Sequence, residues 1–147
     1  MFKQTQKGFT LLEVMVVIVI LGIIASMVVP NLMDNKDQAD QQKTVVDIQQ
    51  LENALDMYRL RNGFYPTTEQ GMQALVTAAT TQPAPRSFPD GGFVKRLPKD
   101  PWDEDYILVS PGQLGRIDVY SKGPDRVAGT DDDIGNWNLD EADRSNN

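Results

Sequence analysis

From Val14 to Pro30 this chain carries no charged side chain, and directly before that stretch stands a single carboxylate, Glu13. The apolar run extends from about Phe9 to Val29. As a helix, twenty-odd residues rise roughly 30 Å, the thickness of a bilayer's hydrocarbon core. A helix with no polar face must be buried in membrane or against copies of itself. Residues 1–8, MFKQTQKG, hold Lys3 and Lys7 and no acid, which keeps this end in the cytoplasm. A cleavable secretory signal would carry a small-residue site after the run. Ala25 and Ser26 lie inside it, with Met27, Val28 and Val29 still to follow, and "VVPNLMDNKDQAD" offers no such site. The segment therefore reads as a retained anchor, N-terminus in and C-terminus out. An anchor accounts for the lysines but not for Glu13. A carboxylate at mid-bilayer costs about 2.5–3.5 kcal/mol and normally marks function with a partner.

Composition narrows what the rest can do. The 147 residues allow one modest domain beyond the apolar segment. There is no cysteine, hence no disulfide framework and no thiolate chemistry, and no histidine, the commonest general base and zinc ligand. The formal charge is −7 and the 14 Lys and Arg residues are scattered, so no basic face offers itself to a nucleic acid.

"KGFTLLEVMVVIVILGIIASMVVPNL" resembles the class III signal of the type IV pilin and pseudopilin superfamily, carried by Gly8, Phe9, Thr10, Leu11, Leu12 and Glu13. The resemblance implies that a prepilin peptidase/methyltransferase cuts between Gly8 and Phe9 and methylates the new terminus to N-methylphenylalanine. Physics gives Glu13 a partner in that event. Cleavage creates an α-amino group, largely cationic with a pKa near 7.7–8.0. Glu13 stands about one turn away, near a helix N-terminus where negative charge is favoured. The amine can be its own or the next subunit's. As a structural alternative, Glu13 is a first-turn acid at the headgroup interface.

After Pro30 the helical pattern continues into water. Val45, Ile48, Leu51, Leu55 and Tyr58 form an apolar stripe, with polar residues on the other faces. Asn62-Gly63 is a stop signal, and Pro66 follows. A helix from about Phe9 to Arg61 would be roughly 80 Å long. Gly22 and Pro30 are weak points, and local unwinding between them on assembly is expected.

Thr67 and Gln70 read as a capping box opening a short helix over about 68–78. "TTQPAPRSFPDGG" reads as an ordered, irregular loop, long enough to be an interaction surface. Tyr106–Val109 and Arg116–Tyr120 form a hairpin around "SPGQLG", with a third strand including Trp137. The tail "DEADRSNN" is expected to be disordered. The fold class is α+β, a helix spine on a small antiparallel sheet.

"SKGPDRVAGTDDDIGNW" gathers Asp125, Asp131, Asp132 and Asp133 in one Gly-rich loop. Adjacent carboxylates repel unless solvated or neutralised by a cation. Calcium takes six to eight oxygen ligands, so a calcium site and a solvated acidic loop both fit the composition. The EF-hand spacing is absent. "YPTTEQGMQAL", "LPKDPW", "VYSKGPD" and "DDIGNW" resemble the major pseudopilins of type II secretion systems. That resemblance implies Ca2+ held by the side chains of Asp125, Asp132 and Asp133 and the carbonyls of Lys122 and Val127. The role of Asp131 stays open.

The resemblance also implies the organisation. Residues 1–8 are a removed leader, 9–30 a transmembrane and assembly helix, and 31–62 its amphipathic continuation. Residues 63–147 are a periplasmic α/β head with the calcium loop and tail. The subunit would leave the bacterial inner membrane and polymerise into a pseudopilus that drives folded exoproteins through an outer-membrane secretin, itself catalysing nothing. Its partners would be other copies, minor pseudopilins, the peptidase, inner-membrane platform proteins with their ATPase and, indirectly, the secretin and secreted proteins. Glu52 and Asp56 would meet Lys95 or Arg96 of a neighbour. A type IV pilin for adhesion or motility shares the N-terminal logic, but the absent cysteines and "DDIGNW" favour secretion. A membrane-anchored periplasmic enzyme or calcium-binding module is the third reading, and it lacks a nucleophile–base pair.

Overall fold

The structure, a computed structural model, describes residues 9–144, without the side chains of 27–35, 141, 143 and 144. The chain divides into two compact units, Met1–Asp37 and Gln38–Asn147. Helix α1, Leu11–Asn62, runs through both and is continuous at Gly22 and Pro30.

In the first unit the helix begins at Thr10. Glu13 N–H donates to the Thr10 carbonyl at 3.1 Å and to its Oγ1 at 3.2 Å, so Thr10 is the N-cap. Every large apolar side chain described from Phe9 to Ile24 is exposed, from 46% at Val14 to 85% at Phe9. Among the described residues no helix is long and apolar enough to cross a membrane. The described side chains of the apolar run stop at Ser26, while the uncharged sequence goes on past Pro30 to Met33.

In the second unit the stripe on α1 is the core. Ile48, Leu55 and Tyr58 are fully buried, and Val45 and Leu51 nearly so. Most of this stripe packs in one cluster with Met72, Leu75, Tyr106, Leu108, Ile117, Val119 and Ile134. The helix stops where Asn62-Gly63 predicts: Gly63 adopts φ 88° and its N–H donates to the Arg59 carbonyl at 2.7 Å. Strands β1 (Ile107–Val109), β2 (Asp118–Ser121) and β3 (Ile134–Gly135) form one antiparallel sheet in that order. Leu108 lies opposite Val119, and both point into the core.

Four local expectations need correction. The capping box forms, with Gln70 N–H on Thr67 Oγ1 at 3.2 Å and Thr67 N–H on Gln70 Oε1 at 3.1 Å. It closes only a turn, because Gly71 at φ 58° breaks the helix, and a 3₁₀ segment over Met72–Leu75 replaces the helix over 68–78. The hairpin strands start later than expected, β1 at Ile107 rather than Tyr106 and β2 at Asp118 rather than Arg116, while β2 runs on to Ser121; Arg116 instead closes the connecting loop, its carbonyl accepting Gly112 N–H at 3.1 Å. The third strand ends before Trp137, whose ring lies against Gly135 where any Cβ would collide with it. The tail is helical over Leu139–Arg144 (α2), since Leu139 and Ala142, three residues apart, both pack on the core. Residues 145–147 lie outside the described residues.

The proline loop is irregular and pinned. Gln70 Nε2 donates to the carbonyls of Thr81 (3.0 Å) and Pro83 (3.1 Å), and Ser87 N–H donates to Asn62 Oδ1 at 2.8 Å.

Candidate functional site

The loop between β2 and β3 starts and ends at one point of the sheet, since Ser121 pairs with Ile134. Its conformation comes from short polar bonds. Asp125 Oδ1 accepts from Val127 N–H at 2.8 Å, and Arg126 between them takes φ 60°. Asp133 Oδ2 accepts from Gly129 N–H at 2.7 Å, and Thr130 Oγ1 donates to the Val127 carbonyl at 3.1 Å.

The four acids fall into two environments. Asp133 is buried at 8% exposure, whereas Asp125, Asp131 and Asp132 are exposed. Asp133 Oδ1 is buried with no hydrogen-bond partner among the described residues. A buried carboxylate oxygen left unpaired is costly unless a cation or water meets it. Tyr120 senses this environment: burial first, then the Asp133 charge, pushes its phenol up from its ordinary value. Among the described residues no three acidic side chains converge on a point. The structure thus turns Asp133 inward and leaves Asp125 on a backbone N–H and Asp132 in solvent. The donors present are carboxylate and carbonyl oxygens, the set a hard cation prefers, and the unpaired Asp133 Oδ1 fits one.

The loop is anchored in part by residues to which sequence reading assigned no role, Ser121, Asp100, Glu104 and Asn136. Ser121 Oγ, fully buried, donates to Asp100 Oδ2 at 2.6 Å and accepts Gly123 N–H at 3.1 Å. Lys122 Nζ reaches Glu104 Oε2 at 3.3 Å. Asn136 donates to Glu52 Oε1 at 2.8 Å and to the Ile117 carbonyl at 3.0 Å. The Asp-Pro dipeptide in "LPKDPW" is the one signal that points to Asp100, as a turn initiator.

At the other end, Glu13 is the third residue of α1 and its side chain is exposed. Thr10 and Glu13 have the T-x-x-E spacing of a capping box, a signature unread at the sequence level. Gly8 of the expected cleavage site lies outside the described residues, and Phe9 is exposed.

A helix stripe closed over a three-stranded antiparallel sheet, with an apolar N-terminal helix and an acidic C-terminal loop, defines a pilin-like α+β subunit. Residues 3–29 match the prokaryotic N-terminal methylation motif, and residues 31–137 match type II secretion system (T2SS), protein G. The chain is 68% identical to the type II secretion system core protein G of Aeromonas hydrophila, over 95% of this chain and 97% of that protein. It is 47% identical to the Pseudomonas aeruginosa protein of the same name, over 93% and 99% of the two. Among solved structures it is similar to the major pseudopilin from the type 2 secretion system of enterohaemorrhagic Escherichia coli. That match has a TM-score of 0.70 and 59% identity, over 76% of this chain and 94% of that one. The chain belongs to the type II secretion system protein G family.

Proposed function

We propose that this chain is the structural major subunit of the type II secretion pseudopilus, a homopolymer that moves folded proteins through the secretin. The observation that carries this is the run of exposed apolar side chains from Phe9 into α1 as far as Ile24, joined to a methylation motif. Such a surface is held first by the inner membrane, with the head in the periplasm, and then by other copies. Cleavage between Gly8 and Phe9 supplies an amine to Glu13, and pairing with a neighbour's amine sets the axial register. Heterologous contacts of this kind build open helical filaments. The subunit binds and positions and performs no catalysis. Minor pseudopilins, the peptidase, the platform proteins and their ATPase act on it as partners.

Neighbour contacts between the heads use charge. Asp56 is exposed and its Oδ1 already accepts the Tyr65 phenol at 2.6 Å. Glu52 is half-buried and bonded to Asn136. Asp56 is therefore the freer of the two acids to meet Lys95 or Arg96 of a neighbour.

The acidic loop holds Ca2+ in this reading. Asp125, Asp132 and Asp133 supply carboxylates, and Lys122 and Val127 supply carbonyls. The ion neutralises the cluster and braces the loop, a task that a disulfide could not perform in a chain without cysteine. The unpaired Asp133 Oδ1 supports this. Calcium titration with thermal melting tests it: melting rises with calcium in the wild type and no longer does so in Asp133→Ala. Absence of any shift in the wild type defeats the idea.

N-terminal mass analysis of the protein from cells with and without the prepilin peptidase, coupled to a secretion assay, tests the whole reading. Cleaved, methylated Phe9 and secretion should appear together and disappear together.

A further inference from the structure

The geometry points to Ser121 and Asp100 as positioning residues for the cation loop; this rests on the calcium reading above. Ser121 is the last residue of β2 and pairs with Ile134, so it occupies the neck through which residues 122–133 leave and rejoin the sheet. Ser121 is fully buried, and its hydroxyl both donates and accepts. It donates to Asp100 Oδ2 at 2.6 Å and accepts from Gly123 N–H at 3.1 Å. Asp100 is itself fixed, with Oδ1 accepting Trp102 N–H at 3.0 Å and Glu104 N–H at 2.8 Å. Those two bonds already complete the turn after Lys99. The second carboxylate oxygen is left for the neck of the loop alone.

What the neck controls is the approach of the two loop arms. Gly123 sits at φ 69°, and a Cβ there would collide with the Asp132 carbonyl. The backbone of Gly123 therefore lies directly against the residue that precedes buried Asp133. A hydrogen bond that fixes Gly123 N–H fixes the spacing between Lys122 and Asp132–Asp133, the arms that carry the donors. Lys122 to Glu104 at 3.3 Å is a second tie to the same turn. Outer residues that orient ligands without touching the ion typically change metal affinity 10–100-fold.

Calcium binding to the full chain in detergent micelles, measured by calorimetry, tests this on wild type, Ser121→Ala and Ser121→Thr, with melting in EDTA as the folding control. Ser121→Ala should bind calcium about tenfold more weakly while still unfolding in one cooperative transition in EDTA, at a lower temperature because its bond to the Asp100 carboxylate is gone. Ser121→Thr, which keeps the hydroxyl, should bind like wild type. Equal affinity in Ser121→Ala and wild type overturns the inference, and so does equal weakness of the Ala and Thr variants. If Ser121→Ala does not fold, Asp100→Asn decides: about tenfold weaker binding supports the inference and unchanged binding overturns it. A wild type that binds no calcium removes the calcium reading and this inference together.

Discussion

The phenol of Tyr106 donates to Asp47 Oδ2 at 2.9 Å, tying the residue before β1 to helix α1. Tyr106 is 5% exposed, and Asp47 also takes Lys43 Nζ at 2.6 Å. A hydrogen bond to a charged acceptor contributes about 1.5–3 kcal/mol. Tyr106→Phe should lower the unfolding free energy in urea by about that amount. Tyr58 is the contrast. Its hydroxyl is buried with no partner among the described residues. Tyr58→Phe should be neutral or slightly stabilising in the same assay.

The same phenol predicts a pH dependence. Burial first, then the bond to Asp47, holds Tyr106 well above the ordinary tyrosine value of 10.0. In the unfolded chain it ionises near 10, while in the fold it stays protonated. Its contribution is complete below pH 10 and is lost as pH rises above that value. Denaturation followed from pH 8 to 11 should show falling stability, with a shallower fall in Tyr106→Phe.

Asp118 holds the β1–β2 connection. At 4% exposure it accepts N–H groups from Gln113 (2.6 Å), Leu114 (3.1 Å) and Gly115 (2.9 Å). Asp118→Ala leaves three donors without that acceptor and should cost about 2–4 kcal/mol by urea denaturation. An effect below about 1 kcal/mol would show that water replaces the carboxylate.

Gly135 sits beneath the Trp137 ring, where any Cβ would collide with it. Tyr120 holds the same ring from its other neighbour, 5.6 Å between centroids. Gly135→Ala should displace Trp137 and shift its fluorescence to the red. Stability should fall by about 1–3 kcal/mol, the range for overpacking.

What the sequence discloses depends on whether the signal lies in side-chain pattern or in backbone partnership. Val45, Ile48, Leu51, Leu55 and Tyr58 are legible because one helical face must be apolar to be buried. Asn62-Gly63 is legible because the left-handed stop suits glycine. Asp118 and Asp100 are not, since their partners are mostly backbone N–H groups that every residue owns. Asp133 cannot be told from Asp131 and Asp132 by letter, and only the fold turns it inward. The capping box at Thr67 and Gln70 reads correctly as hydrogen bonds, yet Gly71 decides that no helix follows. In the tail, two apolar residues among polar ones suffice for α2 because the core is adjacent.

Glu13 carries the central claim, that cleavage makes the amine with which this acid directs assembly. The direct measurement is the yield of pseudopilus filaments, with the N-terminal mass, from cells expressing wild type or Glu13→Ala alongside the peptidase. The account predicts that the variant enters the membrane, is cut before Phe9 and fails to build filaments or support secretion. A cleaved Glu13→Ala chain that assembles and secretes like wild type would contradict it.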